Sequence, residues 1–208
     1  RFYECALSLG SLTLNHPDDY LEKYRSEYFL IDQLYRLSIE NYYKISPSIN
    51  LYETVQKVKL ALDSHYAKLC NRINLEWMRC VKEAGGMTSI HALRQQDFYE
   101  SQIKPIQKKV VVVISDALRY EVAQELIGVL AKRQHIAHLN LGIAMLPSET
   151  KFCKPALLPH HELRLYGEEN GTQNMGVDNR ILDSTAKRTE QVDSYRSGGI
   201  CVDYEVVG

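Results

Sequence analysis

Hydrophobic residues change their spacing three times along the chain. Between residues 18 and 45 apolar and aromatic side chains fall at Leu21, Tyr24, Tyr28, Ile31, Leu34, Tyr35, Ile39 and Tyr42, in the steps of three and four that make one face of a helix. His16-Pro17-Asp18-Asp19 ahead of it supplies a proline for the first turn and acids for the helix N-terminus, and Ser46-Pro47-Ser48 stops it. From Leu51 to Ala84 the stripe continues at Val55, Val58, Leu62, Tyr66, Leu69, Ile73, Trp77 and Val81, with no Pro or Gly before Gly85-Gly86, which reads as a C-cap. A stripe that long must be covered, so the two helices are predicted to pair as an antiparallel hairpin. The Tyr-rich face is the seam of that hairpin in preference to a base-stacking surface. Val110 to Ile114 then breaks the helical period with an unbroken β-branched run, the pattern of a strand buried on both faces in a parallel sheet.

Around that run the chain reads as strand, short loop and helix. Val122, Leu126, Val129 and Leu130 mark one face of a helix over Glu121 to Lys132. Upstream, 91–103 suggests a short helix limited by Pro105. Downstream, Ile136 to Met145 suggests a second strand, Ser148 to Thr150 a loop, Lys151 to Leu158 a short helix restricted by Pro155, and Glu162 to Tyr166 an edge strand. Residues 167–180, rich in Gly, Asn and Glu, read as an exposed loop. Thr185 to Ser197 is polar and uninformative, and Ile200 to Val207 has a strand-like composition. Asp116, just past the central run, would stand at the carboxyl end of a strand, where open α/β sheets keep their ligand crevice. Either it forms a turn or caps a helix, or it binds a hard cation.

Composition narrows the class without naming a partner. The 25 basic and 26 acidic residues leave a net charge of −1, so no whole-chain field favours nucleic acid or an anionic membrane surface. Five cysteines, an odd number with no CxxC pair, favour reduced thiols and a cytoplasmic protein. The spacing of His65, Cys70 and Cys80 fits no common metal motif. No apolar run reaches the ~18 residues of a membrane span, so no membrane partner is expected. At 208 residues, opening on Arg1 and closing on Val206-Val-Gly208, the chain reads as a fragment.

Ile114-Ser-Asp-Ala-Leu-Arg-Tyr-Glu-Val-Ala123, Leu146-Pro-Ser-Glu-Thr150 and Ala156-Leu-Leu-Pro-His160 together resemble the PglZ family of the BREX phage-defence systems, close to its type A members. Asn179-Arg180 with Ile181-Leu182, and more loosely Gln95 to Tyr99, carry weaker matches. The resemblance implies an alkaline phosphatase superfamily fold. The expected architecture is therefore α/β: a helical segment over 1–104, then over 105–208 the truncated N-terminal part of an alkaline-phosphatase-like parallel sheet domain seeded by Val110 to Ile114.

The same resemblance implies metal-dependent phosphoryl transfer, in which an unactivated hydroxyl gains its nucleophilicity from a divalent cation, zinc or manganese. It gives Asp116 the role of first metal ligand. It also makes Thr150, the last residue of a Pro-x-x-Thr pattern, the attacking hydroxyl and a metal-associated group, with Ser148 as the competing nucleophile. A further role for Thr150 as helix cap is compatible with this. Lys151 and Arg119 are candidate phosphate-facing cations. The superfamily's later Asp and His ligands are missing, and His160-His161 is followed by no Asp-His pair, so the fragment by itself should be inactive. Two functions follow for the parent protein. One is a phosphatase or phosphodiesterase acting on nucleotides or nucleic acid beside other BREX subunits. The other is a non-catalytic scaffold in that assembly. A flavodoxin-like nucleotide binder is disfavoured, since no Gly-rich phosphate loop follows the central run.

Overall fold

The structure, a computed structural model, describes residues 1–167, 171 and 173–203. It is mostly helical with two small sheets, and divides into two compact units. A helical unit comprises Arg1–Ala92 and Leu118–Leu141, and a mixed unit comprises Leu93–Ala117 and Gly142–Gly208. No helix among the described residues is long and apolar enough to cross a membrane.

In the helical unit, α1 (Phe2–Ser8) precedes α2 (Pro17–Lys23), which runs through a π turn at Tyr24–Tyr28 into α3 (Phe29–Tyr43). The start of α2 is set by a capping box. His16 accepts from the Asp18 N–H, while the Asp19 carboxylate accepts from the His16 N–H, so two otherwise orphaned donors are satisfied. The long helix α4 (Tyr52–Glu83) is continuous over 32 residues, or about 48 Å. It ends where Gly85 and Gly86 take positive φ and the Gly86 N–H reaches back to the Val81 carbonyl, a Schellman-type stop that a Cβ would strain.

The tyrosines form the seam between α3 and α4. Tyr35 and Tyr66 stack with ring centres 3.8 Å apart. Tyr24 and Tyr66 both donate to the Asp32 carboxylate, at 2.6 and 2.9 Å, and Tyr35 donates to Asp63. Burial, reinforced by Asp32, pushes the Tyr24 and Tyr66 hydroxyls far above their ordinary pKa, so both remain donors at any physiological pH. Two apolar clusters close the packing, one around Phe2, Ile31 and Leu62, the other around Tyr20, Tyr28 and Cys80.

Helix α5 (Tyr120–Lys132) packs on α3 through charge as well as apolar surface. Glu121 is 0% exposed, and its carboxylate accepts from Arg36 Nε at 3.2 Å and pairs with Arg119 at 3.1 Å. Arg36 also pairs with Glu125, which takes a further hydrogen bond from Gln33. A carboxylate buried this fully needs such partners to offset the loss of its hydration.

The mixed unit holds both sheets. Strand β1 (Leu93–Arg94) pairs in parallel with β2 (Gly142–Ile143). Helix α6 (Thr150–Ala156) follows, and β3 (Leu163–Gly167), β4 (Gln173–Val177) and β5 (Arg180–Ile181) form an antiparallel sheet in that order. Helix α7 (Thr185–Tyr195), capped by the Ser184 hydroxyl at the Lys187 N–H, closes the described part. Leu158, Val177 and Leu182 form the core, flanked by Leu163 and Val192.

Several expectations are corrected here. Val110 to Ile114 has no regular structure and, among the described residues, belongs to neither sheet. Val111 and Val113 are 80% and 83% exposed. A strand exists by sharing its backbone hydrogen bonds with a neighbour, and among the described residues the parallel pairing is made between β1 and β2. The short helix predicted over 91–103 is present from Gln95 to Ile103, as a 3-10 turn at Gln95–Asp97 and a π turn at Tyr99–Ile103 preceded by β1, while the strand predicted over Ile136 to Met145 shrinks to β2. The loop predicted over 167–180 contains β4, with Met175, Gly176 and Val177 buried; residues 168–170 and 172 lie outside the described residues. Gly176 is a packing residue, since a Cβ there would come within 2.1 Å of the Tyr166 ring. The polar stretch after Ser184 is a helix. Of the strand-like stretch at 200–207, residues 200–203 have no regular structure and 204–207 lie outside the described residues.

Replacing Arg36 by Met should destabilise the helical unit by about 2–3 kcal/mol, because Glu121 loses one of its two cationic partners while still buried. Adding Glu121→Leu to that variant should recover most of the loss. Urea denaturation followed by circular dichroism checks both values, and an Arg36→Met variant within about 0.5 kcal/mol of the parent would refute the buried ion pair.

Candidate functional site

The residues singled out by sequence meet at the junction of a turn and a short helix in the mixed unit. Asp116 opens a turn in which the Ala117 N–H donates to its Oδ1 at 3.1 Å, and Ala117 adopts φ 54, a left-handed conformation that costs an alanine about 1–2 kcal/mol. Thr150 is the first residue of α6, after Glu149 at the N-cap. Its hydroxyl donates to Asp116 Oδ2 at 2.9 Å. Both side chains are exposed. Ser148 is exposed on the approach to α6, and no hydrogen bond joins it to Asp116 among the described residues.

Asp116 does form a turn, whereas the capping roles fall to other residues. Arg119 occupies the N-cap of α5 and Glu149 that of α6, neither with a side-chain cap. Asp116 therefore does not cap α5, and the Thr150 hydroxyl is spent on Asp116.

Helix α6 is held firmly behind this pair. Phe152 and Ala156 are buried, and α6 packs against β4. The Gln95 side chain clasps both ends of the approach, accepting from the Met145 N–H at 3.0 Å and donating to the Cys153 carbonyl at 3.1 Å. Burial pushes the Cys153 thiol up in pKa, which leaves it a poor nucleophile beside Thr150. The candidate cations are already paired. Lys151 lies 3.4 Å from Glu149 and over the Phe152 ring, and Arg119 binds Glu121.

As metal ligands, Asp116 and Thr150 offer two oxygens 2.9 Å apart, about the separation of adjacent ligands around an ion with bonds of about 2.1 Å. That fits one edge of a coordination shell. Among the described residues no group of three or more His, Cys, Asp or Glu side chains could complete it. His160 pairs its Nδ1 with the Leu158 carbonyl at 2.7 Å, and His161 enters the unit through its backbone N–H, described next.

A second polar centre has no counterpart in the sequence reading. Asp178 and Asn179, at φ 46 and 65, form the two-residue turn between β4 and β5, the left-handed pair favoured in tight hairpins. Asp178 Oδ1 accepts from the backbone N–H groups of His161 and Glu162, at 2.8 and 2.9 Å. Oδ2 accepts from Gln191 at 2.9 Å and the Tyr195 hydroxyl at 2.7 Å. Burial works to raise the pKa of this carboxyl, but the Tyr195, Glu162, His161 and Gln191 hydrogen bonds outweigh it and hold the group at about 2. The sequence signals at this centre were an Asp-Asn pair in a polar stretch, which a plain turn explains equally well, and the weaker family match at Asn179-Arg180.

Comparison with known proteins shows that the chain belongs to the PglZ family. Residues 98–207 match that family, described as the BREX system PglZ alkaline phosphatase-like domain. The chain is also similar to the alkaline phosphatase-like protein BrxZ of Escherichia coli O9:H4 (strain HS), 32% identical over 162 residues, which are 71% of this chain and 18% of that protein. To the alkaline phosphatase-like protein PglZ of Bacillus cereus (strain H3081.97) it is 26% identical over 203 residues, 94% of this chain and 23% of that protein. The chain thus spans about a fifth of the length of the curated relatives it matches. No solved structure matches it.

Because the folded pKa of Asp178 lies below its unfolded value, its contribution to stability is complete above about pH 4 and is lost as pH falls through about 2. Asp178→Asn should cost about 1–2 kcal/mol at pH 7, less than the full depression implies because the carboxylate is partly solvated. Denaturation at several pH values should show the gap between variant and parent closing between about pH 4 and pH 2; a gap independent of pH would contradict the assignment.

Proposed function

We propose that this chain carries the nucleophile end of a phosphoester-hydrolysing site in a BREX PglZ protein. Thr150 is the attacking group and Asp116 the carboxylate that orients it. The observation that supports this is the 2.9 Å hydrogen bond from Thr150 Oγ1 to Asp116 Oδ2. In this reading Asp116 takes the hydroxyl proton as Oγ1 bonds to phosphorus, the P–O bond to the ester's alcohol breaks, and that oxygen leaves as the alcohol by taking a proton from water. Water then hydrolyses the phosphothreonine. A divalent cation, zinc or manganese, would supply charge neutralisation of the phosphate and lower the hydroxyl pKa, with Asp116 and Thr150 as two of its oxygen donors. The remaining donors would come from elsewhere in the parent protein. Nucleotides or nucleic acid are the substrate class we assign, and other BREX subunits the partners.

In the full-length protein, Asp116→Ala should lower both bound metal and hydrolysis of a generic phosphodiester. Thr150→Ala should leave metal content near that of the parent while cutting hydrolysis by roughly a thousandfold. Elemental analysis and a chromogenic phosphodiester assay read the two effects separately. Full activity in Thr150→Ala with none in Ser148→Ala would move the nucleophile to Ser148. Phage defence intact in both Asp116→Ala and Thr150→Ala would favour the scaffold role.

A further inference from the structure

Around the start of α6, three residues from separate segments of the mixed unit close a ring of hydrogen bonds. Gln95 accepts from the Met145 N–H at 3.0 Å and donates to the Cys153 carbonyl at 3.1 Å. The Cys153 thiol returns to the Met145 carbonyl at 3.8 Å and reaches the Pro147 carbonyl at 3.7 Å, the weak contacts that a thiol makes. Met145 is thus held at both its N–H and its C=O. We propose that Gln95 is a positioning residue for Thr150, acting through Met145 and Cys153 to set where the hydroxyl stands against Asp116. The proposal rests on Thr150 being the nucleophile.

Each end of the Gln95 amide serves a backbone group that regular structure leaves open. Met145 lies past the end of β2, beyond the pairing with β1. Cys153 lies near the end of α6, where the Leu157 N–H donates to the Lys154 carbonyl at 3.2 Å and leaves the Cys153 carbonyl to Gln95. Groups shielded from water in this way need a partner, and one side chain supplies both. Gln95 is itself placed in advance. Arg94 before it pairs with Ile143 across the parallel sheet, and the turn that Gln95 opens packs on α6.

Apolar packing alone does not fix this spacing. Leu93, Phe98, Ile143 and Leu157, together with Gln95, line an open cleft of about 240 Å³, so the contact of the sheet with α6 is not close-packed here and the polar ring sets the distance. Cys153 and Thr150 share α6, and the Cys153 N–H binds the Glu149 carbonyl at 2.9 Å, so a shift of Cys153 carries Thr150 with it. The 2.9 Å bond from Thr150 to Asp116 has little slack. A displacement of about 1 Å breaks it, and misplacing an attacking oxygen by that much costs on the order of a hundredfold in rate.

The test is kinetic and uses the full-length protein. Gln95→Met keeps the length of the side chain and removes both hydrogen bonds. With a chromogenic phosphodiester, kcat should fall roughly tenfold to a hundredfold, while KM and bound metal stay within about twofold of the parent. In a Thr150→Ala background the same substitution should change the residual rate by less than about twofold, because no nucleophile is left to position. A residue that only supports the fold would lower the rate equally in both backgrounds. Cys153→Ala, which removes the weaker link alone, should show the same pattern with a loss of about threefold, and it decides the matter if Gln95→Met fails to fold. A parent-like kcat in Gln95→Met, or an equal loss in both backgrounds, would overturn the inference and leave Thr150 as the nucleophile. Full activity in Thr150→Ala would overturn both.

Discussion

The mixed unit hangs on one carboxylate. Asp178 sits in a two-residue turn yet binds backbone at His161 and Glu162 and side chains on α7, so a single anion joins the hairpin, the segment that leaves α6 and the closing helix. Four donors on one carboxylate outweigh the cost of removing it from water. Gln191 extends the same network to Arg180 and to the Pro159 carbonyl. Because β4 also supports α6, the turn contributes to where Thr150 stands.

The helical unit uses the same device twice. Asp32 gathers the hydroxyls of Tyr24 and Tyr66, and Glu121 gathers Arg36 and Arg119. In each case the apolar stripe supplies the bulk of the burial while an acid inside it chooses the partner and the register. Buried charge pairs are modest contributors to net stability and strong selectors against mispacking, since a shifted helix would strand the charge.

This division of labour explains what could be read from the sequence. The hairpin of α3 and α4 was legible because period and stop signals coincide: an uninterrupted stripe from Val55 to Val81 meets Gly85-Gly86, and a proline with acids opens α2. The strand at Leu163 was legible from alternation. Val110 to Ile114 misled for a different reason. Its composition states what it would bury, and composition cannot state whether a neighbouring strand is present to take its hydrogen bonds. Strand β4 was hidden because Gly176 looks like a loop residue until the Tyr166 ring is seen to lie on it. Helix α7 has few apolar residues and is fixed by Gln191 and Tyr195, polar contacts with no periodic signature.

Asp116 and Thr150 were legible as members of two motifs, and their meeting across 34 residues is a matter of folding that spacing alone does not give. Their joint action is decided most directly by the hydrolysis rates of Asp116→Asn, Thr150→Val and the double variant in the full-length protein, read as a cycle. Residues that work as one unit are strongly non-additive, so the double variant is expected to be no slower than the slower single one. Losses that multiply would contradict the pairing of this carboxylate and this hydroxyl in a single site.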